Sequence, residues 1–339
     1  MKDKKLHFKI KKKLLFLIII EILAIIYLLN MVLSSQLVKF KPIFVDVPMN
    51  VIYENDTNSS LKYFSTEEPN EYFIKTQDMF FGTVIYSTNS DGLRERYNYS
   101  RIKPSNVFRI AIFGDSFTYG LYLNISDVFT EILEDRLNSL NCSKKIEVLN
   151  FGVGGYDIPY MVELFREKGK YYNSDINLFV VKDDDIEYLN EIWTLIKYKY
   201  MKQAGYPSPY KDNASYRKWT EAAEKAADEY FSIINSTFLS EQAKKSFNIL
   251  YNENAGKSKI FIFTFQIDPL FYNEFLRNAS KDYGFTFLSL NDIGNNYNDL
   301  WERKLSAIPI EDTHPNKLGH QFLADILYVY FVSNNLIEC

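Results

Sequence analysis

Four apolar runs punctuate the chain from residue 107 onward: VFRIAIF (107–113), KIEVLNF (145–151), INLFVVK (176–182) and KIFIFTF (259–265). Runs of about seven residues rich in Val, Ile and Phe favour buried strands over helices. Alternating with them are amphipathic stretches whose apolar positions recur at helical spacing. These are SDVFTEILEDRLNSL (126–140), IPYMVELFREKGKYY (158–172), PLFYNEFLRNASKDY (269–283) and NKLGHQFLADILYVYFV (316–332). Strand alternating with helix at this spacing predicts a three-layer α/β/α fold with a parallel, flavodoxin-like sheet over residues 107–335. Residues 186–257 break the rhythm: they are charged, helix-prone and too long for a plain crossover. They are expected to form a helical insertion, either a lid or a helix pair that binds a partner.

A different pattern occupies the N-terminus. Lys2, Lys4, Lys5, Lys9, Lys11, Lys12 and Lys13 precede an apolar run from Leu14 to Leu33 in which Glu21 is the one charge. At the rise of an α-helix this run spans about 30 Å, the thickness of a bilayer's hydrocarbon core. It is longer than the roughly 7–15 residues of a signal peptide's apolar region, and no Ala-x-Ala-like site follows. The expectation is a transmembrane anchor at 14–34 with a basic cytoplasmic tail at 1–13, since lysines stay on the cytoplasmic side. Everything after it would be extracytoplasmic: a stalk or apron at 35–106, then the α/β domain. The chain's two cysteines, Cys142 and Cys339, both fall on that oxidising side, where a disulfide is permitted. So do all eight Asn-x-Ser/Thr sequons, as a glycosylated ectodomain requires.

Composition changes the picture little. The 339 residues carry a formal charge of −4, which argues against nucleic acid as a partner. Aromatics make up 17% of the chain, as stacking on sugars would use and as a codon bias would also produce. No Cys/His spacing suggests zinc. The acidic run Asp183, Asp184, Asp185 lacks the glycine and alternate spacing of a calcium loop, so no metal and no cofactor are expected.

Candidate chemistry sits at two places. In RIAIFGDSFTYG (109–120) a serine, Ser116, follows directly on a strand's end. A serine nucleophile needs a base, and the base an acid to orient it. Of the three histidines, His7 lies in the basic tail and His320 inside the last helix, where a packed or exposed helical residue is expected. His314, in EDTHPNKLGH (311–320), stands before a helix that Asn316 can cap, with Glu311 and Asp312 just upstream.

The order of these pieces resembles the SGNH, or GDSL-like, hydrolases over roughly residues 107–332: GDS after the first strand, VLNFGVGGYD after the second, an acidic turn after the third, and DTHPNKLGH at the last helix. STNSDGLRE (87–95) also looks like the lead-in of many members. The resemblance implies Ser116 as nucleophile and His314 as base. Asp312 would be the orienting acid, with Glu311 as the alternative. The backbone N–H groups of Ser116 and Gly155 would help form the oxyanion hole. Where the family usually has an asparagine that completes the hole, this chain has Asp184 or Asp183. An ionised carboxylate cannot donate a hydrogen bond and repels a developing oxyanion, so either burial keeps the aspartate protonated, or Lys182 or another donor substitutes, or activity is low. The implied activity is hydrolysis of an ester, an acyl (acetyl) group on a surface glycan being the favoured substrate. A degenerate domain that binds glycan or a partner, or a glycan O-acyltransferase using the same serine, are the alternatives.

Overall fold

The computed structural model describes residues 61, 64–76, 83–140, 142–207, 213–264, 270–290, 292–293, 306–308 and 312–337. All of them belong to one of the chain's two compact units, residues 47–339. The anchor expected at 14–34 and the basic tail lie outside the described residues. Among the described residues no helix is long and apolar enough to cross a membrane.

An antiparallel hairpin, β1 (Tyr72–Thr76) and β2 (Thr83–Ser87), comes first. The four apolar runs then form β3 (Val107–Gly114), β4 (Lys145–Gly152), β5 (Ile176–Val180) and β6 (Lys259–Thr264). A fifth strand, β7 (Thr286–Ser289), completes a sheet of order β4-β3-β5-β6-β7 in which every pairing is parallel. Counted from the first strand of the sheet, this is the doubly wound flavodoxin-like order.

The sheet is buried on both faces, which is why its strands read as continuous apolar runs. Successive residues still separate by face. Ile110 and Ile112 pack with Val148, Leu178 and Phe263 against helices α2 (Phe129–Asn138) and, at the C-terminus, Lys317–Ser333. Ala111 and Phe113 pack on the other face with Leu149, Phe151 and Phe179 against α3 (Ile158–Glu167). There Phe113 lies stacked between Phe151 and Phe179, with ring centroids 4.7 and 4.8 Å away. Pairs of this kind add about 0.5–1.5 kcal/mol each beyond the area they bury. The helix at Ser116–Tyr119 is α1.

The stretch 186–257 contains more than an insertion. After a single turn, α4 (Asp184–Glu187), come α5 (Asn190–Gln203) and α6 (Asn213–Ile233), joined by contacts such as Lys199 with Glu229 at 2.5 Å. The next helix, α7 (Ser236–Asn254), is the crossover itself: Leu239, Ala243, Phe247 and Leu250 lie in the core beside α3. Helix α8 (Leu270–Asp282) covers the same face, through Leu276 and Ala279. A short hairpin, β8 (Ser306–Ile308) with β9 (Asp312–Pro315), leads into the final helix, α9 (Lys317–Ser333). The segment expected as a stalk is, where described, part of the same body: Phe64, Leu93 and Tyr99 are buried in the core cluster that contains Phe113. Cys142 is disulfide-bonded. The chain's other cysteine, Cys339, lies outside the described residues.

Candidate functional site

In open α/β sheets ligands bind beyond the carboxyl ends of the strands, where the strand order reverses. Here that point lies between β3 and its neighbours, and three turns converge on it.

The first turn carries Ser116. Asp115 follows β3 directly and caps α1, its carboxylate accepting from the Phe117 N–H at 2.9 Å. Ser116 therefore sits on the first position of a helix, half-buried at the lip of the sheet. Its Oγ lies 2.8 Å from Nε2 of His314, a residue 198 positions away. The same hydroxyl is 3.4 Å from Oδ2 of Asp115. His314 is presented by β9, and Asn316 caps α9 behind it by accepting from the Gly319 N–H at 3.1 Å. The imidazole is fixed by two rings, Phe117 at 4.8 Å and Tyr122 edge-on at 5.5 Å. Glu311 lies outside the described residues. Asp312 opens β9, two residues from His314 on the same short strand.

The second turn, after β4, carries Gly155. The close approach of α1 demands a glycine at Gly152, where a Cβ would come within 2.2 Å of the Tyr119 nitrogen. Gly155 has φ +77°, a left-handed conformation suited to glycine, and is exposed. Asn150 braces this turn from inside. Its amide donates to the Thr118 carbonyl at 2.9 Å, and its Oδ1 accepts from the Gly152 N–H at 2.8 Å. A buried asparagine near the end of a largely apolar strand was the signal for it. The turn is also joined to the inserted helix α5. The Asn190 side chain donates to the Gly155 carbonyl, and its backbone N–H donates to Asp157 at 2.7 Å. Burial pushes the Asp157 carboxyl up to about 7, against the opposing effect of these backbone donors.

The third turn is the acidic one. Asp183 caps α4 by accepting from the Asp184 N–H at 2.9 Å, and burial raises its carboxyl above the usual range. Asp185 turns inward and accepts from the Lys182 N–H at 2.8 Å; burial and the charge of Asp115 push it well up, with Lys182 opposing. Carboxylate oxygens of Asp115, Asp184 and Asp185 lie within 4.8 Å of one another. The side chain of Lys182 meets this cluster. Only 4% exposed, its ammonium is 2.9 Å from Asp115 and also bonded to Asp184, and it lies 4.4 Å from the centre of the Phe117 ring. Burial alone would lower its pKa, but Asp115, Asp185 and Asp184 together raise it. Lysine thus supplies the positive charge that so many adjacent carboxylates require. The sequence offers Lys182 as a substitute donor beside the acidic turn, but not as the partner of Asp115, which is distant in the chain.

His320, the other histidine of the α/β domain, is a core residue. It is fully buried, its Nδ1 accepts from the Phe129 N–H at 3.1 Å, and burial holds its pKa down to about 3.

No protein family matches the chain by sequence, and no curated protein does. Solved structures do resemble it. One is described as a lipolytic protein of the G-D-S-L family from Desulfitobacterium hafniense, 11% identical, with 65% of this chain and 97% of that one covered and a TM-score of 0.42. A second is an acetyl xylan esterase, 15% identical, covering 66% of this chain and 99% of that one, with a TM-score of 0.43. A third is an acetyl-xylooligosaccharide esterase from Geobacillus stearothermophilus, 14% identical, covering 67% and 94%, with a TM-score of 0.41. The chain is similar to these proteins in the course of its fold.

Proposed function

We propose that this chain is a serine ester hydrolase of the SGNH type, held at a membrane by residues 14–34 with its α/β domain outside the cell. The observation that carries the reading is the 2.8 Å contact between Ser116 Oγ and His314 Nε2 at the carboxyl end of the sheet. A serine and a histidine drawn together across 198 residues, beside a glycine turn, form the elements of a nucleophile, a base and an anion site.

Ser116 Oγ attacks the ester carbonyl while Nε2 of His314 takes its proton. The tetrahedral oxyanion is met by the backbone N–H groups of Ser116 and Gly155. His314 then protonates the departing alkoxide, and a water molecule, deprotonated by the same imidazole, releases the acid. Asp312, or Glu311, orients the imidazole. The acidic turn is compatible with this chemistry because Lys182 neutralises it: Asp184 faces an ammonium, and Asp183 is drawn to the first N–H of its own helix. The substrate class is an acyl ester, with acetyl groups on a surface glycan favoured by the external location. The test is hydrolysis of a short-chain aryl ester by the purified protein. Ser116→Ala should abolish turnover and leave the thermal melt unchanged, and full activity in that variant would remove the assignment.

A further inference from the structure

The segment STNSDGLRE has no place in the ester chemistry, yet it runs beneath the site. Arg94 is only 1% exposed. Its guanidinium donates to backbone carbonyls: that of Tyr119 at 2.7 Å, and those of Gly120 and Leu123. The face of the guanidinium rests near the rings of Tyr86 and Tyr119, 4.5 and 4.7 Å from their centres. Helices leave their last carbonyls without intrahelical partners. Here one arginine gathers those that follow the nucleophile's helix.

The loop so gathered, 119–123, carries Tyr122 at φ +70°. A left-handed backbone is strained for a bulky residue and persists only where its surroundings enforce it. The enforcing contacts are Arg94 on either side of Tyr122 and Tyr86, whose Oη accepts from the Tyr122 N–H at 2.8 Å. What the strain secures is the Tyr122 ring, which stands edge-on to His314 at 82°. Glu95, the next residue, reaches the other half of the site by accepting from the Asn150 N–H, and Asn150 braces the turn of Gly155.

We propose that Arg94, together with Tyr86, is a positioning residue for the Ser116–His314 pair, holding the strained 119–123 loop so that Tyr122 sets the plane of the imidazole facing the serine. This rests on the reading of Ser116 and His314 as nucleophile and base. Loosening the loop lets Tyr122 relax to negative φ and removes the edge that fixes the imidazole. A misplacement of about 1 Å at a catalytic group costs about 10²-fold in rate.

The test uses the full chain in detergent, with histidine rings isotopically labelled; with three histidines in the chain, the ring signals can be assigned. Arg94→Met, Arg94→Lys and Tyr86→Phe are compared with wild type for kcat and KM per titrated active site and for the His314 ring signals. Arg94→Met is expected to lower kcat about 100-fold with KM within threefold. Arg94→Lys, which can still reach one carbonyl, should recover part of that loss. Tyr86→Phe should lower kcat by about threefold to tenfold. All three should shift the His314 signals. A purely structural role would lower the melt but leave kcat per titrated site and the His314 signals unchanged, and that result overturns the proposal. If neither Arg94 variant folds, Tyr86→Phe decides by the same two readouts. If wild type shows no esterase activity, the parent reading fails, and the His314 signals alone decide: a shift supports the positioning role, and unchanged signals overturn it.

Discussion

Replacing Lys182 by methionine removes the positive charge that, among the described residues, is bonded to both Asp115 and Asp184, while keeping most of the apolar stem. The carboxylate oxygens it separates lie within 4.8 Å of one another. At that distance two unit charges repel by about 3.5 kcal/mol with an effective dielectric of 20. Breaking a buried ion pair by deleting one partner costs about 3–5 kcal/mol, in the same range. The expected loss is therefore about 3–5 kcal/mol at pH 8. Its pH dependence follows from Asp185, which burial and Asp115 already raise and which Lys182 holds back. Without the ammonium its folded-state pKa rises further above the unfolded value. The folded variant then binds more protons than the unfolded chain, so its stability falls as pH rises through that window and recovers as pH falls. Urea unfolding followed by tryptophan fluorescence should show a deficit that is large at pH 8 and smaller at pH 5. Activity should fall as well, since Asp115, 3.4 Å from Ser116 Oγ, would then oppose the oxyanion without compensation. A deficit below about 1 kcal/mol at pH 8, or one equal at both pH values, would refute the charge-compensation account.

Two further outcomes are expected. Asp157 has its carboxyl raised to about 7 by burial, so the folded state holds its proton when the unfolded chain has lost it, and this group makes wild-type stability fall between about pH 4 and 7 and level off above. Asp157→Asn removes that contribution, roughly 4 kcal/mol across the window, and equal pH slopes of unfolding for the two proteins would contradict it. On topology, an N-terminal tag should resist protease in intact cells while a C-terminal tag is digested; the reverse would place the domain inside the cell and remove the case for a surface substrate.

Much of the sheet was legible because its strands are buried on both faces, which leaves runs dominated by apolar residues, as in VFRIAIF, where Arg109 is the one exception. The edge strand β7, four residues with Thr286 exposed and Phe287 half-buried, gives no such run and was not foreseen. Helix α7 was absorbed into the expected insertion, since its helical pattern continues that of α6 with only a short break at Asn235 and nothing local marks it as the core-covering crossover. Ser116 and His314 were found as a pair only through the order of motifs, because a contact spanning 198 residues leaves no periodic trace. The supporting residues were the least legible. Arg94 looks like a surface charge in the sequence and Lys182 only like a substitute donor beside the acidic turn, and their burial is dictated by partners elsewhere: the carbonyls of the 119–123 loop for one, Asp115 for the other.

The most direct test of the account is covalent labelling of the full chain with a fluorophosphonate, followed by mass mapping of the adduct. Only a serine whose proton is taken by a correctly placed base reacts rapidly. The account predicts a single adduct, on the peptide containing Ser116, that forms quickly in wild type and is lost in His314→Gln while the thermal melt is unchanged. An unlabelled Ser116, or labelling at the same rate in His314→Gln, would contradict it.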